Sequence, residues 1–229
     1  MATSGTYTFN PSAGEIVLTA YARAQMRRTA LTPEHMVDAR NEMNFLLSEM
    51  SNQQVNLWTV ELVEEPLLEG VATYDVDPTT VMILDAYISS ETSGAVQDRV
   101  IMPISRTEYA SYPNKDMEGF VTSFWFDRLI NPTITLWPVP NADDTYTLKY
   151  YRCRQVQDAV LTNALNIEVP YRWLDCFAFG LAWRLALIHN PQMAEPMFKL
   201  YDRSWKIAAT QDTENVPMYI YPALSHYSR

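Results

Sequence analysis

Apolar positions along the chain change their period twice. Near the start, Ile16, Val17, Ala20, Tyr21 and Ala24 recur at helical spacing, and Met36, Ala39, Met43, Leu46, Leu47 and Met50 form a second stripe of the same kind. Ser12-Ala13-Gly14-Glu15 is a capping box for the first of these helices, and Arg27-Arg28 fall where a last turn would place cations against the helix dipole. Thr32-Pro33 restarts the helix with a hydroxyl cap and a proline in the first turn. The polar run Ser51-Asn52-Gln53-Gln54 ends it, so residues 1–56 read as a helical hairpin preceded by an extended segment over residues 1–11.

From Trp58 the period becomes two. Strands are expected at Trp58–Val63, Gly70–Asp75, Val81–Ser89 and Arg99–Ile104, with turns at Asp77-Pro78 and Ser93-Gly94. Ser105-Arg106-Thr107-Glu108 is a second capping box, opening a short helix that ends before Pro113. Between Phe120 and Gln155 three β-branched and aromatic runs, Val121–Phe126, Thr133–Trp137 and Thr145–Tyr151, are separated by Asn131-Pro132 and by the turn-rich segment Pro138–Asp144. These predict an antiparallel meander, the last part of a β region over residues 57–169 with about seven strands. Helical spacing returns with Trp173, Leu174, Phe177, Ala178, Leu181, Leu185 and Ile188, then Met193, Met197, Leu200, Tyr201, Ser204, Trp205 and Ala208, with Asn190-Pro191 capping the second helix. The expected fold class is α+β. The hairpin and the two helices of residues 170–214 form a helical bundle around a central antiparallel sheet or sandwich, and residues 215–229 form an extended arm.

Composition narrows the function classes. The formal charge of −10 is uneven: residues 61–119 hold twelve acids and three bases, while the rest of the chain is nearly balanced. Nucleic-acid binding requires Lys/Arg clusters that displace counterions from phosphates, and no such cluster occurs. A surface that repels DNA is compatible with the excess acidity. No apolar run is long enough for a membrane span, and no N-terminal signal pattern is present. The two cysteines, Cys153 and Cys176, have no metal-ligand spacing and read as reduced, buried thiols of a cytosolic product. Fourteen prolines against six glycines indicate stiff loops and leave little material for a phosphate cradle.

Candidate chemistry is sparse. No nucleophile elbow, zinc, Walker or dinucleotide motif occurs, so no catalytic residue, metal or cofactor is expected. The histidines His35, His189 and His226 are far apart in sequence, and His189 reads as a dipole partner at a helix end. Adjacent acids Glu64/Glu65 and Asp143/Asp144 face opposite ways on a strand or lie in a turn, which fits solvation better than acid–base work. The methionines of the second helix read as core, or as an adaptable contact with another subunit. The arm stands apart, because Met218, Tyr219, Ile220, Tyr221, Leu224 and Tyr227 are too apolar for a solvated tail. Such segments fold back over their own domain, dock along a partner groove or add a strand to one; on the partner reading, these six are the expected residues for binding a partner or a neighbouring subunit.

The order of these elements, with Asn44-Phe45-Leu46-Leu47, the short helix at Ser105–Tyr112 and Leu136-Trp137-Pro138-Val139-Pro140, resembles the head-to-tail adaptor proteins of short-tailed bacteriophages, the head-completion or tail-tubular-A-like group. That resemblance implies a non-enzymatic virion component made in the host cytoplasm. It implies a ring, typically of twelve copies, between the portal protein and the tail nozzle, through which DNA passes without specific binding. Two other readings compete with it. One is a cell-wall hydrolase using carboxylates such as Glu108 and Asp127; the other is a carbohydrate-binding sandwich stacking sugars on Trp58, Trp125 or Trp137.

Overall fold

The computed structural model describes residues 3–53, 57–92, 95–141, 145–161 and 165–213. Helix α1 (Ala13–Arg23) opens as its sequence dictates. Ser12 Oγ accepts from the Glu15 N–H at 3.3 Å, and the Glu15 carboxylate accepts from the Ser12 N–H at 2.9 Å. The helix stops one turn earlier than expected, which leaves Arg27 and Arg28 beyond it. Gln25 takes φ = 61°, its N–H bonds to Ala22, and the Met26 N–H reaches back to Tyr21. This is the left-handed helix stop that usually uses glycine, built here on a residue with a Cβ. Gln25→Gly is therefore expected to stabilise the protein by about 0.5–1 kcal/mol, visible as a higher urea midpoint at unchanged slope.

Helix α2 (Pro33–Gln53) buries Ala39, Met43, Leu46, Leu47 and Met50 of the stripe its spacing predicts, while Met36 is half-buried against the same core. After the β region, α4 (Leu174–His189) and α5 (Ala194–Gln211) complete a bundle with α1 and α2; the label α3 belongs to the short helix Arg106–Ser111. The bundle core centres on Tyr21, Met43, Leu46, Trp173, Phe177 and Leu181, all without solvent exposure. At Gly180, an added Cβ would lie about 3 Å from Tyr201 and from both Leu46 methyls, so that glycine sets how closely α2, α4 and α5 approach.

Three local expectations fail in the bundle. Ile188 and Leu200, placed in the buried stripes, are 50% and 38% exposed, because both lie on sides of α4 and α5 that no described element covers. Asn190 does not cap α5, which instead starts through the 3-10 turn Pro191–Met193. Its amide donates to the Ala24 carbonyl at 2.9 Å and so satisfies one more acceptor at the end of α1.

The strands are β1 (Val60–Pro66), β2 (Thr73–Asp75), β3 (Thr80–Thr92), β4 (Ala95–Pro103), β5 (Glu118–Gly119), β6 (Ser123–Asp127), β7 (Thr133–Trp137), β8 (Val139–Pro140) and β9 (Thr145–Arg154). Seven form one sheet in the order β1-β9-β3-β4-β6-β7-β2, and β5 pairs with β8 separately. Trp58, expected in the first strand, lies in a 3-10 turn ahead of it. The expected meander is only half present. β6 and β7 pair antiparallel, but β9 leaves them and inserts between β1 and β3. Pro138 precedes the two-residue β8 and Pro140 is its second residue; together they remove donors from the path after β7 and let the chain cross over. The sheet is also mixed rather than purely antiparallel, since β4 meets β6 in parallel at Met102 and Pro103. A second core fills its inner face around Ile88, Ile101, Ile134, Leu136 and Leu148.

Candidate interaction surfaces

Among the described residues, eight of the seventeen lysines and arginines are held in ion pairs. Arg184 of α4 lies between Glu42 and Glu49 of α2; burial opposes its charge, and the two carboxylates outweigh that. Arg152 bonds Glu61 and Thr80, Arg154 bonds Glu168, and Arg172 bonds the buried Asp212. Hydrogen bonding from Arg154 holds the Glu168 carboxyl below the usual carboxylate range. Arg23 reaches Asp175 at 2.7 Å. Asp75, Asp85, Glu91, Asp98 and Glu118 are exposed and belong to none of these pairs, so much of the acidity of residues 61–119 is a property of the surface.

Against that acidic background several apolar areas remain uncovered, and they point in different directions. On α4 and α5, Leu187 and Phe198 are about half exposed beside Trp183, whose ring packs on Phe198 at 5.0 Å and on Tyr201 at 5.8 Å. On β4, Val96, Val100 and Met102 project from the face opposite the core and are 65–70% exposed. At the tip between β6 and β7, Ile130 is 93% exposed beside Leu129. That tip borders a polar cleft of about 640 Å³ between α2 and the sheet, lined by Asn44, Ser48, Ser51, Thr80 and Gln155 among others. Exposed apolar area of this kind on a single subunit marks contacts with other proteins. The sequence carried one signal for the helical patch, since α4 holds more apolar residues than a single stripe needs; the tip offered none, because Leu-Ile beside Asn-Pro reads as a strand end.

The expected partner-binding residues Met218, Tyr219, Ile220, Tyr221, Leu224 and Tyr227 lie outside the described residues, as does His226. The other two histidines, distant in sequence, stack at 4.4 Å, and Tyr21 donates to the His35 carbonyl. His189 therefore does more than face a helix dipole: it joins the ends of α1, α2 and α4, with Asp38 3.1 Å away. The tryptophans considered as sugar platforms are half-buried and each has a ring partner. Trp58 packs near Trp173 and donates to the Glu168 carbonyl, Trp125 stacks on Tyr109 of α3, and Trp137 stacks on Tyr112 at 4.0 Å. Glu108 occupies the exposed first turn of α3, and Asp127 closes β6 opposite Thr133; no hydrogen bond or ion pair joins them among the described residues.

Both cysteines are buried, as expected. Cys153 contacts the Thr59 hydroxyl at 3.1 Å, and burial pushes the Cys176 thiol up to about 12. The folded protein should therefore leave both thiols unlabelled by Ellman's reagent at pH 8, with two released on unfolding. Rapid labelling of the native chain would contradict this packing.

Among the described residues no helix is long and apolar enough to cross a membrane, and no group of three or more His, Cys, Asp or Glu is placed to hold a metal ion. No curated protein matches the sequence. The family model described as SU10 adaptor protein matches residues 12–221, which spans both cores, the α4–α5 patch and the β6–β7 tip. The resemblance read from the order of elements and this match agree, and the chain belongs to the SU10 adaptor protein family.

Proposed function

We propose that this structural adaptor works as one subunit of a closed ring, of about twelve copies as in the adaptors it resembles, seated between the portal and the tail nozzle of a phage particle. Membership of an adaptor family supports a virion role without catalysis. The observation that carries the ring reading is that the exposed apolar areas are unlike one another and lie on different elements: the α4–α5 face, the β4 face and the β6–β7 tip. A two-fold dimer would pair one patch with itself, whereas a ring joins two different patches of neighbouring copies and leaves others for the proteins above and below. The acidic remainder suits a conduit in which DNA slides without sticking. Residues 216–229 are the segment we assign to the portal or to an adjacent subunit.

The test is assembly. Alone, the chain should sediment as a 26.3 kDa monomer; mixed with purified portal protein, it should form rings visible in negative-stain images and by native mass spectrometry. A chain that stays monomeric beside its portal, or that forms only two-fold dimers, would remove the ring reading.

A further inference from the structure

The free edge of β4 is open along most of its length. β4 pairs with β3 from Ala95 to Ile101, but β6 meets it only at Met102 and Pro103. The Met102 N–H donates toward β6, to the Thr122 carbonyl, and strand groups alternate sides with a period of two. The backbone N–H and C=O groups of Val96, Asp98 and Val100 therefore point the same way, past the end of β6, where no described strand receives them. Residues 96–100 are all exposed. An unpaired edge with apolar side chains on its outer face is a template for an added strand, and proteins that do not use such an edge usually protect it. β1, at the outer border of the sheet, is protected in this way by Glu61, Glu64, Glu65 and Pro66.

The same molecule carries a strand-like segment with nothing to pair with. Thr6-Tyr7-Thr8-Phe9 alternates β-branched and aromatic residues, and residues 3–10 are all exposed. Tyr7 is fully exposed, while Phe9 meets the ring of Tyr171 edge-on at 6.5 Å. Among the described residues no backbone hydrogen bond holds residues 3–10; the first backbone tie to the body is the bridge from Ser12 to Asn166. The segment is uncharged, so the acidic surface does not repel it, and Tyr7 and Phe9 repeat at the two-residue spacing that Val96, Asp98 and Val100 follow.

We propose that Thr6–Phe9 of one copy pairs with the open edge of β4, at Val96–Val100, in a second copy, adding an eighth strand to its sheet. The joint rests on the ring reading above and specifies it: donor segment and acceptor edge are different surfaces, so repeating the contact propagates in one direction until the ring closes.

Replacing Tyr7 with a photo-crosslinking phenylalanine analogue tests this in portal-templated rings. Illumination should give a ladder of adaptor multimers, and mass spectrometry should place the crosslink in the peptide carrying residues 95–103 of another copy. Asp98→Pro removes an outward N–H and no bond of the β3–β4 ladder, so the monomer should keep its circular dichroism and melting profile. Ring yield should fall at least tenfold in that variant and in a chain lacking residues 1–10. Crosslinks within one copy, or to the portal, would overturn the joint, as would wild-type ring yield from both variants; in those cases the ring reading stands. If the wild-type chain forms no ring on its portal, both fail together.

Discussion

Trp173→Ala is expected to lower stability by about 3–5 kcal/mol, and the melting temperature by roughly 6–20 °C for a chain of this size. The indole has no solvent exposure and lies where three parts of the molecule meet. Trp58, just ahead of β1, is 5.8 Å from it; Trp205 of α5 is 6.3 Å away; and α4 begins at the next residue. Removing it opens a cavity among large, rigid neighbours that cannot collapse into the space. Trp173→Phe should cost far less. Its indole N–H has no hydrogen-bond partner among the described residues, so the smaller ring loses volume but no bond. Urea unfolding followed by circular dichroism measures both variants. A cost under 1 kcal/mol for the alanine change would show that bundle and sheet do not depend on this contact.

Deleting residues 216–229 is expected to leave the fold and melting temperature unchanged and to abolish incorporation into particles. The described body closes its own cores: α5 ends at Gln211, and the buried Asp212 is held by Arg172. The apolar residues beyond it are assigned to a partner, so their loss should appear in portal co-sedimentation rather than in thermal denaturation. Normal incorporation of the truncated chain would remove that assignment. Loss of folding would instead make the segment part of this chain's own core.

The contrast between these two experiments follows what the sequence makes legible. Helices were readable because each stripe is local. Met43, Leu46, Leu47 and Met50 recur within a few turns, and all are buried. The β6–β7 pairing was readable for the same reason, being a short connection between two alternating runs. The position of β9 was not, because its partners β1 and β3 lie far away in the chain and any alternating strand fits many neighbours. Gln25 gave no warning of a left-handed backbone. Nor did Asn190, beside Pro191, show that it would serve α1 rather than α5, since a cap is normally sought on its own helix. The site was less legible than the fold. Partner surfaces are defined by what a fold leaves uncovered, and Leu187 or Val100 can be recognised as exposed only once the strand order and helix packing are known.

That strand order also bears on synthesis. β9 is among the last strands to leave the ribosome, yet it holds β1 and β3 on its two sides. Until Arg154 has emerged, the nascent sheet is split, with β1 unpaired, and α1 waits longer still for the segment around Leu165 and for α4. Such a chain closes slowly and late in translation, and its unfinished form exposes sticky strands to every copy being made nearby. Yield in the infected cell would then depend on translation pace and chaperone supply as well as on the stability of the finished subunit.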